Sequence, residues 1–196
     1  EKARAYGYSL ANSVIDAFHA GKFHPSPEPK LNVSSLELEF GIENFMLSLG
    51  TLLGIIDSDP KLSLKPPFIR YLSEVGFIEL GDLTITGIPG ELYPEIAVGG
   101  IENPQGADYS ITPQEIPHLR SQLPGKLNLM VNLANDAIGY IIPKSEWDEE
   151  APWIYGKDDE TYGEVVSLGP DTAIIIHQNI IKLIDCLLYT SPSPRD

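Results

Sequence analysis

One cysteine, Cys186, stands in the 196 residues, so neither an internal disulfide nor a cysteine-based zinc cluster can form within the chain. Its scarcity leaves the redox compartment open. Basic residues are also few: 13 Lys and Arg face 28 Asp and Glu, a formal net charge of -15. That balance opposes nonspecific attraction to nucleic acid or to an anionic bilayer at neutral pH, so no nucleic-acid partner is expected. Long apolar runs are missing too. Roughly 18 to 20 residues are needed to cross a bilayer, and the longest candidate is broken by His177, Gln178, Asn179, Lys182 and Asp185. Nor does the chain carry G-x-x-x-x-G-K-S/T, G-x-G-x-x-G after a strand, H-E-x-x-H or G-x-S-x-G. Phosphate-cradling loops, helix-borne zinc pairs and the serine nucleophile elbow therefore lose their support.

What is present reads as a globular chain, with 42% hydrophobic residues and enough length for one domain. The first residues run directly into helical sequence, which suggests that the natural start lies upstream of Glu1. At the other end "CLLYTSPSPRD" drops from apolar helix into Ser-Pro repeats. Residues 186–196 are expected to be non-native read-through, and the domain is expected to span 1–185.

Leu10, Val14, Ala17 and Phe18 recur at helical steps within residues 3–20, predicting an amphipathic helix. "HPSPEPK", residues 24–30, is a connector. In "VSSLELEF" Leu36, Leu38 and Phe40 alternate with polar residues, the period of a half-buried strand. Residues 42–56 fit either strand or helix, and 57–67 read as loop. "VGFIELGDLTITGI" predicts a hairpin around Gly81-Asp82. "ELYPEIAVGG" then suggests a helix opening at Glu91, with Pro94 in its first turn. Residues 100–126, rich in proline, read as an excursion outside the core. Leu127 to Leu133 predicts a buried strand with a turn at Asn135-Asp136, and Gly169-Pro170-Asp171 opens a helix through about Ile184. The alternation gives an α/β class, a mixed sheet with flanking helices, here an incomplete part of a larger catalytic domain.

Two residues stand out as candidates. Glu91 follows a strand-ending Pro89-Gly90 turn, a place where rigid scaffolds present ligand or catalytic carboxylates. The alternative is a helix-start acid favoured by the macrodipole. Tyr140 follows the strand that ends in "NLANDAIGY", either as a functional hydroxyl or as packing at the core edge. The histidines at 19, 24, 118 and 177 lack metal-ligand spacing and read as structural or surface residues. Asp148-Glu149-Glu150 and Asp158-Asp159-Glu160 lack the pattern of a calcium loop and read as solvated. Trp147, Trp153, Tyr155 and Tyr162 either line a groove or pin the acidic segment to the domain, the latter being favoured.

"IPGELYPE", "LANDAIGYIIP" and "YGEVVSLGPDTA", in this order, resemble the later half of the amidase domain of neutral/alkaline, non-lysosomal ceramidases, over about residues 1 to 184. The resemblance implies a zinc ion held by Glu91, by Tyr140 and by two histidines upstream of this chain. It also implies hydrolysis of an N-acylated sphingoid base such as ceramide, with Tyr140 contacting the oxyanion. A secreted, periplasmic or exoplasmic location and peripheral contact with a membrane follow from it in the same way. The better-known ceramidases place Phe-Thr-Thr after Gly-Glu, where this chain has Leu92-Tyr93-Pro94, and commonly a Tyr where Ala137 stands. A non-catalytic lipid- or glycan-binding module on the same scaffold is the competing expectation.

Overall fold

The computed structural model describes residues 1–21, 30–56, 60–159 and 161–190. Most of the proposed connector at 24–30, His24, Glu160 and the Ser-Pro end of the tail lie outside them. The chain forms an α/β arrangement of helices and a mixed sheet. Strand β1 (Leu31–Gly41) pairs antiparallel with β3 (Ile69–Leu80), β3 antiparallel with β4 (Leu83–Gly87), and β4 parallel with β6 (Leu127–Val131). The short β2 (Lys61–Leu62) pairs with the start of β3. Leu80 pairs with Leu83 across the predicted Gly81-Asp82 turn, where Gly81 has φ +58°, a left-handed angle that glycine adopts without a Cβ clash.

The alternation in β1 decides which face of the sheet is core. Leu38 and Phe40 point inward with Val75 and Phe77 of β3 and Thr84 and Thr86 of β4, all buried. After a short α4 (Tyr162–Val165), helix α5 (Thr172–Thr190) covers this face, against β1 and β3. Its Ala173, Ile176, Ile180, Leu183 and Ile184 are buried, the three- and four-residue spacing of one helical face. The Thr172 hydroxyl donates to the Gly169 carbonyl at 2.7 Å where the helix begins.

Several expectations are revised. Residues 45–52 resolve into a helix, α2 (Phe45–Leu52), because the Asn44 side chain accepts from the Leu47 amide and caps it. Strand β6 is not buried: it closes one edge of the sheet and leaves Leu127, Leu129 and Val131 exposed. The proline-rich 100–126 segment is not wholly outside the core. Leu119, Leu123 and Glu115 are buried, and a short 3-10 turn at Leu119–Gln122 packs against the Pro94–Val98 helix and α5. Helix α1 (Lys2–His19) forms as the periodicity predicts, yet none of its residues is buried. The helix at the C-terminal end continues past Ile184 to Thr190.

Candidate functional site

Glu91 does not open a helix. It lies in a short strand, β5 (Glu91–Leu92), and the helix α3 (Pro94–Val98) begins three residues later with Pro94 in its first turn. Proline has no amide to offer the ladder, so the strand must end before it. The reading of Glu91 as a helix-start acid is thereby overturned. The partner of β5 is β7 (Tyr140–Ile141), in parallel register, and Glu91 sits directly opposite Tyr140. Side chains at registered positions share a face. The two candidates, distant in sequence, are cross-strand neighbours.

The way the chain reaches this pairing explains its unusual glycines. Strands β4 and β6 run parallel, break together, and their continuations β5 and β7 pair again. Three residues, 88–90, bridge the break on one side and eight, 132–139, on the other. The surplus is folded up with Leu133 and Asn135 at φ 53° and 70°, and held by Leu133 N to Gly90 O at 3.2 Å, Ala134 N to Ile88 O at 2.9 Å and Ile138 N to Pro89 O at 2.9 Å. Glu91 N donates to Gly139 O at 2.9 Å, and Tyr140 N to Val166 O at 3.3 Å. A Cβ on Gly90 would lie 2.5 Å from Gly139 O, and one on Gly139, at φ +90°, would lie 1.8 Å from Val166 O. Pro89-Gly90 is thus a point of close backbone approach as well as a turn. The segments 88–93, 133–141 and 163–167 meet here, so the three quoted motifs come together in space. They converge on a separate two-stranded ladder beyond the carboxyl ends of β4 and β6, not on an edge of the main sheet.

Polar side chains fix the eight-residue excursion from the sheet side. Asn135 Nδ2 donates to Glu74 Oε1 at 2.9 Å, and Asp136 Oδ1 accepts from the Tyr71 hydroxyl at 3.0 Å and from the Ala137 amide at 2.7 Å. Around Tyr140 the surroundings are aromatic. The rings of Tyr93 and Tyr162 stand edge-on to it, with centroids 6.2 and 5.9 Å away. Hydrogen bonding to the Glu91 carboxylate, and then its charge, push the Tyr140 phenol above its ordinary value. Burial and the nearby Glu164 push Tyr93 to about 12. Both hydroxyls keep their protons at neutral pH.

Sequence reasoning missed Tyr93 as a site residue, and it named Tyr162 only in the aromatic cluster, not beside Tyr140. The signal for Tyr93 was its place two residues after Glu91, which puts both on one face once the segment is a strand rather than a helix. The aromatic cluster divides: Trp147 is buried and pins the acidic segment, whereas Tyr155 and Tyr162 lie on the surface. Glu164 is buried and accepts from the Asp148 amide and the Thr161 hydroxyl.

Glu91 and Tyr140 together offer two adjacent oxygen donors of kinds zinc accepts, which fits half of a zinc shell. The described histidines do not supply the rest. His118 Nδ1 donates to the Ala97 carbonyl at 3.2 Å, and buried His177 Nε2 to the Pro117 carbonyl at 2.9 Å. His19 lies on exposed α1. Among the described residues no three His, Cys, Asp or Glu side chains are grouped to hold a metal. A scan against protein-family models and searches of curated proteins and of solved structures returned no match to this chain.

Proposed function

We propose that the chain is the later part of a zinc-dependent amide hydrolase of ceramidase type, acting on N-acylated sphingoid bases or related lipid amides. The observation that carries the reading is the registered pairing of Glu91 with Tyr140 at the meeting point of the three motifs that resemble that family. Glu91 and Tyr140 are then two protein ligands, and two histidines come from sequence preceding Glu1. When bound, zinc would supply Lewis-acid polarisation of the scissile carbonyl and a lowered pKa for the attacking water.

This chain's residues contribute position and a hydroxyl contact. The β5–β7 ladder holds the Glu91 carboxylate against the Tyr140 hydroxyl, and the edges of the Tyr93 and Tyr162 rings limit where the phenol can move. As the resemblance implies, the Tyr140 hydroxyl would contact the developing oxyanion, an interaction whose removal typically costs about 10²- to 10³-fold in rate.

The test is hydrolysis of an N-acyl sphingosine by protein that includes the upstream sequence. Glu91→Ala is expected to lose metal and activity together, and Tyr140→Phe to lose about 10²-fold in kcat. Undiminished activity in Glu91→Ala removes it from the metal shell. Because catalytic zinc ordinarily takes three protein ligands, this chain by itself is expected to retain no stoichiometric zinc after desalting. One tightly held zinc per chain would contradict the upstream ligands.

A second reading, a lipid-binding module without catalysis, is favoured by one observation. A groove of about 630 Å3 lies between α2 and residues 66–69, lined by Ile42, Phe45, Leu49, Leu52, Pro67 and Phe68. Saturable binding of the intact lipid amide with no turnover by the extended protein would select it.

A further inference from the structure

Helix α2 is turned inside out. Residues 45–56 carry no charged side chain, and within the helix the only polar side chains are Ser48 and Thr51. Both point inward: the Ser48 hydroxyl donates to the Ile42 carbonyl at 3.1 Å, and Thr51 is the one fully buried residue of the helix. What faces outward is apolar. Phe45, Met46 and Leu52, and beyond the helix Leu53 and Ile55, are each more than half exposed. A surface helix ordinarily shows the opposite arrangement, and one without a charged face is ordinarily sunk in a core or in lipid.

The tip of the β2–β3 hairpin stands beside it. Lys61 and Leu62 pair with Arg70 and Ile69, Ser63 N donates to Phe68 O at 2.8 Å, and Lys65 N donates to the Ser63 hydroxyl at 3.1 Å. The turn is thus closed by its own bonds. Leu64 at its apex is fully exposed, and Leu62 and Phe68 are more than half exposed. Phe68 shares the walls of the groove of about 630 Å3 with Phe45, Leu49 and Leu52, which puts the hairpin tip and α2 on one side of the molecule. Contiguous apolar surface of this kind marks an interaction site. Its charge differs from that of the whole chain: residues 60–73 hold Lys61, Lys65 and Arg70 and no acid, although acids outnumber bases 28 to 13 overall. Lys65, next to Leu64, is exposed and makes no ion pair among the described residues.

We propose that α2 and the β2–β3 tip form a docking surface for a zwitterionic phospholipid bilayer, with Phe45, Leu64 and Phe68 among the acyl chains and Lys65 at the phosphates. A lysine can lay its stem along apolar surface while its ammonium stays at the headgroups, and interfacial elements of this kind sit about 5–10 Å deep. An uncharged apolar stretch of about 10–14 residues is too short to span and suits an interfacial segment where it is not core. Among the described residues no helix is long and apolar enough to cross a membrane. Charge selects the lipid. A net charge of -15 repels an anionic surface and opposes a second copy as occupant, whereas phosphatidylcholine offers phosphates to Lys65 without a net opposing charge. The proposal uses neither Glu91 nor Tyr140.

The experiment is flotation of this chain with phosphatidylcholine vesicles at about 150 mM salt, where repulsion reaches only about 8 Å. Saturable co-flotation is expected, and weaker binding to vesicles containing one-quarter phosphatidylserine at low salt. Leu64→Glu and Phe68→Glu should each lower the partition coefficient at least about tenfold, the loss of one inserted apolar side chain, with circular dichroism unchanged. Leu129→Glu, on the edge strand β6, should leave it unchanged. Leu64 is not among the groove walls, so its variant separates attachment to a bilayer from a lipid amide held in the groove. Vesicles without amide lipid keep the test apart from hydrolysis, so this proposal and the hydrolase reading can fail separately. Absent flotation, undiminished flotation of Leu64→Glu, or tighter binding to the anionic vesicles overturns the proposal. A dimer in sedimentation equilibrium that Leu64→Glu dissociates also overturns it, by assigning the surface to a second copy.

Discussion

At Gly139 the chain passes so close to Val166 that a methyl group has no room, since its Cβ would sit 1.8 Å from a backbone carbonyl oxygen. Backbone, unlike a flexible side chain, cannot step aside without moving Tyr140, whose amide donates to that same carbonyl. The residue also sits at φ +90°, an angle that L side chains avoid. Gly139→Ala should therefore destabilise by more than the ~0.4–1 kcal/mol that a Gly-to-Ala change gains at a compatible site, read as a lowered urea midpoint. A midpoint within error of the parent would show that the β5–β7 ladder is looser than drawn. The tyrosines beside it carry a pH signature. Tyr93 and Tyr140 have folded-state pKa values raised above the ordinary 10, Tyr93 to about 12. Their protonated forms are favoured by folding, so this contribution is fully present below about pH 10 and is lost as pH rises through the folded values. Unfolding free energy should fall between about pH 10 and 12, and Tyr93→Phe should flatten that fall. An identical slope in the variant would locate the effect elsewhere.

Secondary elements show why part of the molecule could be read from the sequence and part could not. The β3–β4 hairpin was legible because a two-residue turn and strict alternation act over a few neighbouring positions, and Leu80 indeed pairs with Leu83. The start of α5 was legible for the same reason, from Gly169-Pro170-Asp171. Glu91 was legible as a strand-end carboxylate. Its placement in a strand of its own was not, because β5 has only two residues and exists through bonds to Gly139 and Ile141, which lie far along the chain. Helix α1 marks the opposite limit. Its apolar stripe predicts a helix correctly, but periodicity names no partner, and Leu10, Val14 and Phe18 remain 62–69% exposed. Hydrophobic stabilisation scales with area removed from water. Deleting residues 1–21 should accordingly leave the urea midpoint of the rest unchanged while removing one helix from the far-ultraviolet circular dichroism. A midpoint lowered by the equivalent of 1 kcal/mol or more would mean that α1 buries surface after all.

At the scale of the whole molecule, among the described residues the sheet is covered on one side only. On the side away from α5, cross-strand register lines up Leu31, Leu80, Leu83 and Leu127 in one row and Val33, Ile78, Ile85 and Leu129 in the next. Leu31, Val33, Leu127 and Leu129 are each more than half exposed. Two aliphatic rows spanning four strands exceed the scattered apolar residues normal for a surface, and parallel strand pairs are ordinarily covered on both faces. A net charge of -15 opposes close approach of copies through that face at low salt. Screening shortens the range of this repulsion to about 8 Å at physiological ionic strength. The native chain should therefore bind an anionic apolar dye such as ANS under fully folding conditions, and more strongly as salt rises from about 10 to 150 mM. Leu129→Glu places a charge in the centre of the second row without touching the inner core, so it should lower dye binding and leave the unfolding midpoint within about 0.5 kcal/mol, as for a surface change. Dye fluorescence no greater than that of a folded control would show the face to be covered in solution.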